Sequence, residues 1–308
     1  METVKSEKYD YVIIGAGCAG LASAQYAARG GLSVLVLDLA GAGGQVLQIS
    51  ELENYPGVFP AVDGATYMMT MQKQAEAFGA KVVQENVLSI DKTGGSFQVK
   101  TKKAVYEASC LCIATGAIHR DLGVPGEKEL SGRGVSYCAT CDGPFFRDKK
   151  ILVVGGGDSA CSEAIYLSTL SSDVSIIHRR DKFRAQQAVI DKMLAAGVKP
   201  VYDSVVKEIK GEGRVQSVIL ENVKDGTQTE VAADAVFIFT GMLPQTDLVE
   251  MLPKDPSGYI LTDENMETSV PGLFAAGDVR SKPFRQVVTA VSDGAIAAHV
   301  ASERIRNA

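Results

Sequence analysis

The sequence predicts an α/β chain of two three-layer units, the second inserted into the first. Three observations predict it. The 308 residues exceed the size at which one hydrophobic core keeps growing. Two stretches of the chain match each other without a gap at an offset of 140 residues. Both read as strand, glycine turn, helix, strand, and their all-apolar strands suit a parallel sheet buried on both faces.

The first stretch runs Tyr11-Val-Ile-Ile-Gly15-Ala-Gly17-Cys-Ala-Gly20 and on through a helical segment to Val34-Leu-Val-Leu-Asp38. The second runs Ile151-Leu-Val-Val-Gly155-Gly-Gly157-Asp158-Ser159-Ala160 and on to Val174-Ser-Ile-Ile-His178. Each turn carries the fingerprint of a dinucleotide-binding, Rossmann-like domain. Its glycines permit a tight bend and close backbone approach, and the helix N-terminus then faces a pyrophosphate. Gly15, Gly17 and Gly20 make the first candidate site. Gly155, Gly157, Asp158, Ser159 and Ala160 make the second, with Ala160 in the third glycine position, which the motif tolerates.

The strand ends differ. Asp38 lies 18 residues after Gly20 and can accept hydrogen bonds from a ribose diol, which suits the adenosine of FAD or NAD. The second unit ends in His178-Arg179-Arg180, with Arg184 soon after. Guanidinium groups there suit the 2′-phosphate of NADPH, and a solvated basic surface is the alternative.

Two further turns mark the domain edges. Ala114-Thr-Gly116-Ala117 follows an apolar strand and precedes a loop with Gly123, Pro125 and Gly126, and Thr240-Gly241-Met-Leu-Pro244 follows the strand Ala235 to Phe239. The simplest organisation has a first nucleotide domain at 1–117 and 245–308 and an inserted second domain at 118–244.

Apolar residues make up 46% and charged residues 22% of the chain, ordinary for a globular protein. A net charge of -6 and a pI near 5.3 argue against nucleic acid as a partner, because phosphate backbones need concentrated positive charge. No apolar run approaches the roughly 18 to 20 residues of a membrane-spanning helix. Met1 to Asp10 is charged and runs straight into an apolar strand at Tyr11 to Ile14, without the pattern of a signal peptide. The chain is therefore read as cytoplasmic.

Six cysteines are too sparse for a disulfide-stapled scaffold, and only Cys138 and Cys141 have a spacing that suggests chemistry. A C-x-x-C pair can be a redox disulfide, half of a zinc site or an accident. Zinc needs about four ligands, the chain has no second C-x-x-C, and the three histidines are scattered. Cys110 and Cys112 alternate along an apparent buried strand and are read as unable to face one site, so no metal is expected. As a redox pair, the two sulfurs can bond across a short turn, and the spacing can lower the attacking thiol's pKa. Asp142 next door can supply the proton a leaving sulfur needs, or can simply cap a turn or helix. Cys18, Cys110, Cys112 and Cys161 sit in apolar or small-residue surroundings and read as buried hydrophobes. Phe145 and Phe146 follow in an expected loop, where they can be core.

The segment Ser136-Tyr-Cys138-Ala-Thr-Cys141-Asp142-Gly143 resembles the redox motif of the low-molecular-weight thioredoxin reductases, and it ends shortly before the second glycine turn, as in that family. Gly43-Gly44-Gln45, Glu53-Asn54-Tyr55-Pro56-Gly57, His178 to Arg184, and Phe274-Ala-Ala-Gly277-Asp278-Val279 followed by Arg285-Gln286 agree as well. Cys18, Tyr137 and Pro144 depart from the family pattern.

The resemblance implies electron flow from NADPH through FAD and the Cys138-Cys141 disulfide to oxidised thioredoxin. Cys138 is then the attacking sulfur, Cys141 the flavin-side sulfur and Asp142 the acid. It adds Gly44, Gln45, Asn54, Val87, Asp278, Arg285 and Gln286 to the FAD site and gives Phe145 and Phe146 a docking role. It also implies a homodimer, and a rotation of the inserted domain about linkers near Ala117 and Pro244. A nonenzymatic nucleotide sensor is the reading from a different class, and bleaching of a yellow protein by NADPH would separate the two.

Overall fold

The computed structural model describes residues 5–49, 52 and 54–307. The start of the charged segment, Met1–Val4, and Glu53 of the Glu53–Gly57 motif lie outside the described residues. The chain folds as two compact units, one running to Ile118 and resuming at Leu243, the other spanning His119–Met242.

The first unit contributes β1 (Lys5–Ile14), α1 (Cys18–Arg29), β2 (Val34–Asp38), α2 (Gly64–Ala77), β3 (Lys81–Gln84), β4 (Val87–Thr93), β5 (Ser96–Thr101) and β6 (Ala104–Ile113), followed by the connecting strand β7 (Ala117–His119). The second unit contains β8 (Val135–Ser136), α3 (Ala139–Asp142), β9 (Ile151–Gly155), α4 (Asp158–Ser168), β10 (Val174–Ile177), α5 (Gln187–Ala195) and β11 (Lys199–Val201). It closes with β12 (Ser204–Lys210), β13 (Ser217–Asn222), β14 (Gln228–Ala232) and β15 (Ala235–Phe239). The chain returns through β16 (Met242–Pro244) to β17 (Leu273–Ala275) and α6 (Val287–Arg306).

In the first unit β3, β2, β1 and β6 lie parallel in that order. Strand β6 is long enough to pair with β17 along its C-terminal half and with β5 along its N-terminal half. Side chains on a strand alternate between faces. Tyr11 and Ile13 therefore pack with the alanines of α1 and α6, while Val12 and Ile14 pack with Phe97 and Val99 of β5. Strand β1 starts well before the expected apolar run, because Lys5 to Tyr9 pair with Ala104 to Ala108 through backbone bonds that do not depend on side-chain polarity.

The second unit repeats the plan. Strands β11, β10, β9, β15 and β8 form a parallel sheet. Ile151 and Val153 face α4 through Ala160, Ala164 and Leu167. Leu152 and Val154 face Val206, Ile209, Val218 and Leu220 of the antiparallel sheet β12-β13-β14. Each unit is thus helices, parallel sheet and a β layer, the three-layer α/β class the sequence predicts. The β layers themselves carry no glycine fingerprint and are not anticipated by it.

One expectation fails. Cys110 and Cys112 stand two residues apart on β6, so they share a face rather than oppose each other, and both enter the same core beside Tyr11 and Phe274. Burial pushes their thiols up to about 11 and about 12. Cys18 and Cys161 are buried as expected. Among the described residues no group of three or more His, Cys, Asp and Glu could hold a metal ion, and no helix is long and apolar enough to cross a membrane.

Candidate functional site

In the first turn Gly15 has φ +109°, a left-handed value that L side chains rarely adopt, and a Cβ there would lie 2.3 Å from Ala114 O. A Cβ on Gly20 would lie 1.8 Å from Gly15 O, so α1 begins hard against the turn. Gly17 is different, because nothing lies within 4 Å of its Cβ position. It caps α1 without any side-chain hydrogen bond, which leaves the first helical N–H groups open to an anion. Gly44 (φ +63°) places its Cβ position 3.5 Å from Gly17 Cα, and Gly43 N donates to Ala16 O at 2.9 Å. The Gly43-Gly44-Gln45 motif is thereby brought onto the turn.

Asp38, at the end of β2, accepts from Ala16 N (2.8 Å), Ala40 N (2.8 Å) and Gly41 N (3.1 Å). It braces the turn as well as lining a cavity of about 450 Å³ with Gly15, Asn86, Val87, Thr115 and Gln245. That cavity opens at the carboxyl ends of the parallel strands, where ligands bind in open α/β sheets. Asn86 and Thr115 belong to it without being foreseen from the sequence.

A second group surrounds Gly277, whose Cβ position lies 2.8 Å from Ala19 Cβ and so beside the start of α1. Gly277 N donates to Asp293 Oδ2 at 3.1 Å. Lys282, only 5% exposed, bridges Asp278 (3.2 Å) and Asp293 (3.1 Å), while Arg280 adds a 3.3 Å contact to Asp293. Arg285 stacks over Tyr259 at 3.7 Å and leaves its buried Nε without a hydrogen bond, as is Asp278 Oδ1 apart from its ion pair. Asn54 Nδ2 donates to Gln286 Oε1 at 3.0 Å, and Gln286 caps α6 in a reciprocal box with Thr289. Lys282 and Asp293 could not be found from the sequence, since only the fold sets α6 against the Gly277 turn.

The second turn repeats the geometry with different contents. Gly157 faces open space and caps α4 without a side-chain bond. His178 is 6% exposed and packs against the turn, its Nδ1 3.0 Å from Gly155 O and its ring against Phe183. A Cβ on Gly156 would lie 2.1 Å from that ring. Burial lowers the His178 pKa, and the charges of Arg180 and Arg184 act in the same direction. The cations exposed here are Arg179, Arg180, Lys182 and Arg184 rather than His178. The chain around Arg184 is irregular, and two bonds fasten it to the turn: Arg184 N to Gly156 O (2.7 Å) and Gln186 N to Asp158 Oδ1 (2.7 Å). Ser159 is exposed beside Asp158, and Ala160 is buried.

In the same unit Cys138 and Cys141 form a disulfide across the single turn α3, with Cα atoms 5.3 Å apart. Cys141 N donates to Cys138 Sγ at 3.3 Å. Ser136 Oγ donates to Asp142 Oδ2 at 2.6 Å and accepts from Cys138 N at 3.1 Å. Tyr137 stacks on His119 at 3.5 Å and donates to Glu127 Oε1 at 2.9 Å. Glu127, 1% exposed, also accepts from Leu122 N (2.8 Å) and Gly123 N (2.7 Å), which ties the Gly123 loop to the redox segment. Phe145 and Phe146, expected in a loop, lie instead on one 3-10 turn, Gly143–Phe146, and they separate: Phe146 packs edge-on against Phe237, whereas Phe145 is 57% exposed.

The sequence pattern of the pyridine nucleotide-disulphide oxidoreductase family matches residues 9–294. The thioredoxin reductase of Treponema pallidum (strain Nichols) is 51% identical over 298 residues, covering 96% of this chain and 97% of that protein. The thioredoxin reductase of Bacillus subtilis (strain 168) is 44% identical over 293 residues, covering 94% and 92%. The crystal structure of thioredoxin reductase from Streptococcus pyogenes MGAS5005 superposes with a TM-score of 0.89 at 46% identity, covering 99% of this chain and 100% of that one.

Proposed function

The chain belongs to the pyridine nucleotide-disulphide oxidoreductase family, and from that premise we propose that it is a thioredoxin-disulfide reductase working through Cys138, Cys141 and Asp142. The observation that carries the reading is the disulfide across α3 with Asp142 held beside it by Ser136.

Thioredoxin reductases of this family use FAD and NADPH, and both turns fit such groups. Gly17 and Gly157 leave space above an uncapped helix N-terminus, and buried Asp278 Oδ1 and Arg285 Nε retain unused hydrogen-bonding capacity. In this proposal FAD is held by residues 1–117 and 245–308, through Gly15, Gly17, Gly20, Asp38, Gly44, Gln45, Asn54, Val87, Asp278, Arg285 and Gln286. NADPH is held by residues 118–244, through Gly155, Gly157, Asp158, Ser159, Ala160, Arg179, Arg180 and Arg184, with His178 supporting the turn. When bound, the flavin supplies two-electron exchange between the nicotinamide and the disulfide. The protein's own residues do the rest. Cys138 thiolate attacks one sulfur of the thioredoxin disulfide and forms a mixed disulfide, and Cys141 then displaces thioredoxin and restores the Cys138-Cys141 bond. Asp142 serves the proton transfers. Phe145 offers the docking partner an apolar surface, with Phe146 fixed behind it. A homodimer, a cytoplasmic location and a rotation of the inserted unit between half-reactions complete the proposal.

The test is covalent trapping. Cys141→Ser enzyme should capture, through Cys138, a thioredoxin carrying one activated cysteine, and Cys138→Ser should capture much less. Both should still let NADPH reduce the flavin and neither should turn over thioredoxin. Better trapping by Cys141 would reverse the sulfur roles, and wild-type NADPH consumption indifferent to oxidised thioredoxin would remove the substrate assignment.

A further inference from the structure

Ser136 ends β8 and is 4% exposed, so its hydroxyl must find partners within the protein. It has three within reach: Asp142 Oδ2 at 2.6 Å, Cys138 N at 3.1 Å and Cys138 O at 3.3 Å. A serine hydroxyl has one proton to donate and two lone pairs to accept with. Cys138 N can only donate, which uses one lone pair. The proton then has two alternative acceptors, the Asp142 carboxylate and the Cys138 carbonyl.

We propose that Ser136 is a positioning residue for the acid, holding Asp142 beside the redox pair in both of its protonation states. With Asp142 ionised, Ser136 donates to Oδ2, and the short contact is that of a hydroxyl to a charged oxygen. With Asp142 protonated, the carboxyl donates to Ser136 Oγ through the remaining lone pair, and the serine proton turns to Cys138 O. No heavy atom has to move. When the Cys138-Cys141 bond takes up two electrons originating from NADPH, the bond breaks to a thiolate and a second sulfur that takes one proton. Asp142 gives that proton and becomes the carboxylate that Ser136 then stabilises. An alanine at this position would leave Asp142 without this donor and Cys138 N without its acceptor.

The inference rests on Asp142 being the proton donor, and a double-mutant cycle on the holoenzyme separates the two ideas. Ser136→Ala should lower kcat for thioredoxin reduction about tenfold, the worth of one hydrogen bond to a charged group. KM for thioredoxin should change less than about twofold, the half-reaction with NADPH should be unaffected, and the solvent deuterium isotope effect on kcat should rise as proton delivery becomes limiting. Ser136→Thr, which keeps the hydroxyl, should restore both. In Asp142→Asn enzyme, adding Ser136→Ala should cost much less than it does in the wild type, because only the bond from Cys138 N is left to lose. A Ser136→Ala enzyme with wild-type kcat and isotope effect overturns the inference while leaving the acid assignment alone. Additive losses in the double variant overturn it too, as does a Thr variant that folds yet loses about tenfold in kcat, whether or not the Ala variant folds. Asp142→Asn at full activity would remove the acid assignment beneath it.

Discussion

In the turn after β1 the third fingerprint position is Gly20, where a Cβ would lie 1.8 Å from Gly15 O, whereas the turn after β9 carries Ala160 there with its methyl in the core. The second turn makes room at a different residue: Gly155, whose own Cβ would fall 2.5 Å from that of Ala160. The two turns also end against opposite chemistry. Asp38 closes the first as an acceptor of three backbone N–H groups, while His178 closes the second as a buried, uncharged ring with arginines exposed beyond it. What the pair teaches is a division of labour. The shared device is an uncapped helix with an open glycine at its start, a geometry that suits a pyrophosphate of any nucleotide. In the proposed sites the choice of nucleotide falls to the side chains at the end of the second strand.

The largest effect should come from forcing the first turn to resemble the second. Gly20→Ala drives a methyl into the Gly15 carbonyl, and with backbone on the other side of the clash the cost should reach about 3 kcal/mol. The reverse change, Ala160→Gly, should cost about 1 kcal/mol, the price of glycine in a helix. Urea midpoints and flavin retention measured on both variants check this. Equal losses would mean that the two turns are interchangeable after all.

Changing the strand-end chemistry should give the next largest effect. Arg179→Ala with Arg180→Ala should weaken NADPH binding about 100-fold, two charge-assisted bonds' worth, and NADH binding less than about threefold, since NADH has no 2′-phosphate to lose. Titration of the holoenzyme with each nucleotide distinguishes the two. Comparable losses would show that the arginines do not read that phosphate.

The smallest expected effect belongs to His178. Its pKa is lowered in the folded protein by burial, so the unfolded chain takes up the proton first. Stability tied to this ring is therefore complete above about pH 6.5 and is lost as pH falls below that value, by at most about 1.4 kcal/mol per pH unit. Urea midpoints of the holoenzyme between pH 7.5 and 5.5 should show this limb, and His178→Gln should flatten it. A limb that persists in the variant would assign the titration to another group.

Much of the candidate site was legible because it is local. Gly15, Gly17 and Gly20, their counterparts at Gly155 and Gly157, and Cys138 with Cys141 each take their geometry from a few residues of chain, where spacing alone dictates it. The all-apolar run of β9 likewise points to a sheet buried on both faces. At Cys110 and Cys112, two residues apart on a strand, the period of two puts both thiols on one face. Phe145 and Phe146 show a limit of another kind. Adjacent and identical in type, they point one to solvent and one to Phe237, and only the packing of the neighbouring sheet separates them.

The sequence by itself determined the two-unit α/β plan, the positions of both glycine turns and the Cys138-Cys141 pair, because backbone conformation and short-range periodicity are written residue by residue. Only the tertiary structure decided which side chains brace those parts. Glu127 meets Tyr137 across 10 residues, Asn54 meets Gln286 across 232, and Asp293 reaches from the middle of α6 to Gly277. Such contacts depend on how helices and loops pack over a sheet. Where such groups are buried, as Glu127 and Asp293 are, they need no common motif, only the cost of leaving a buried charge or donor unpaired.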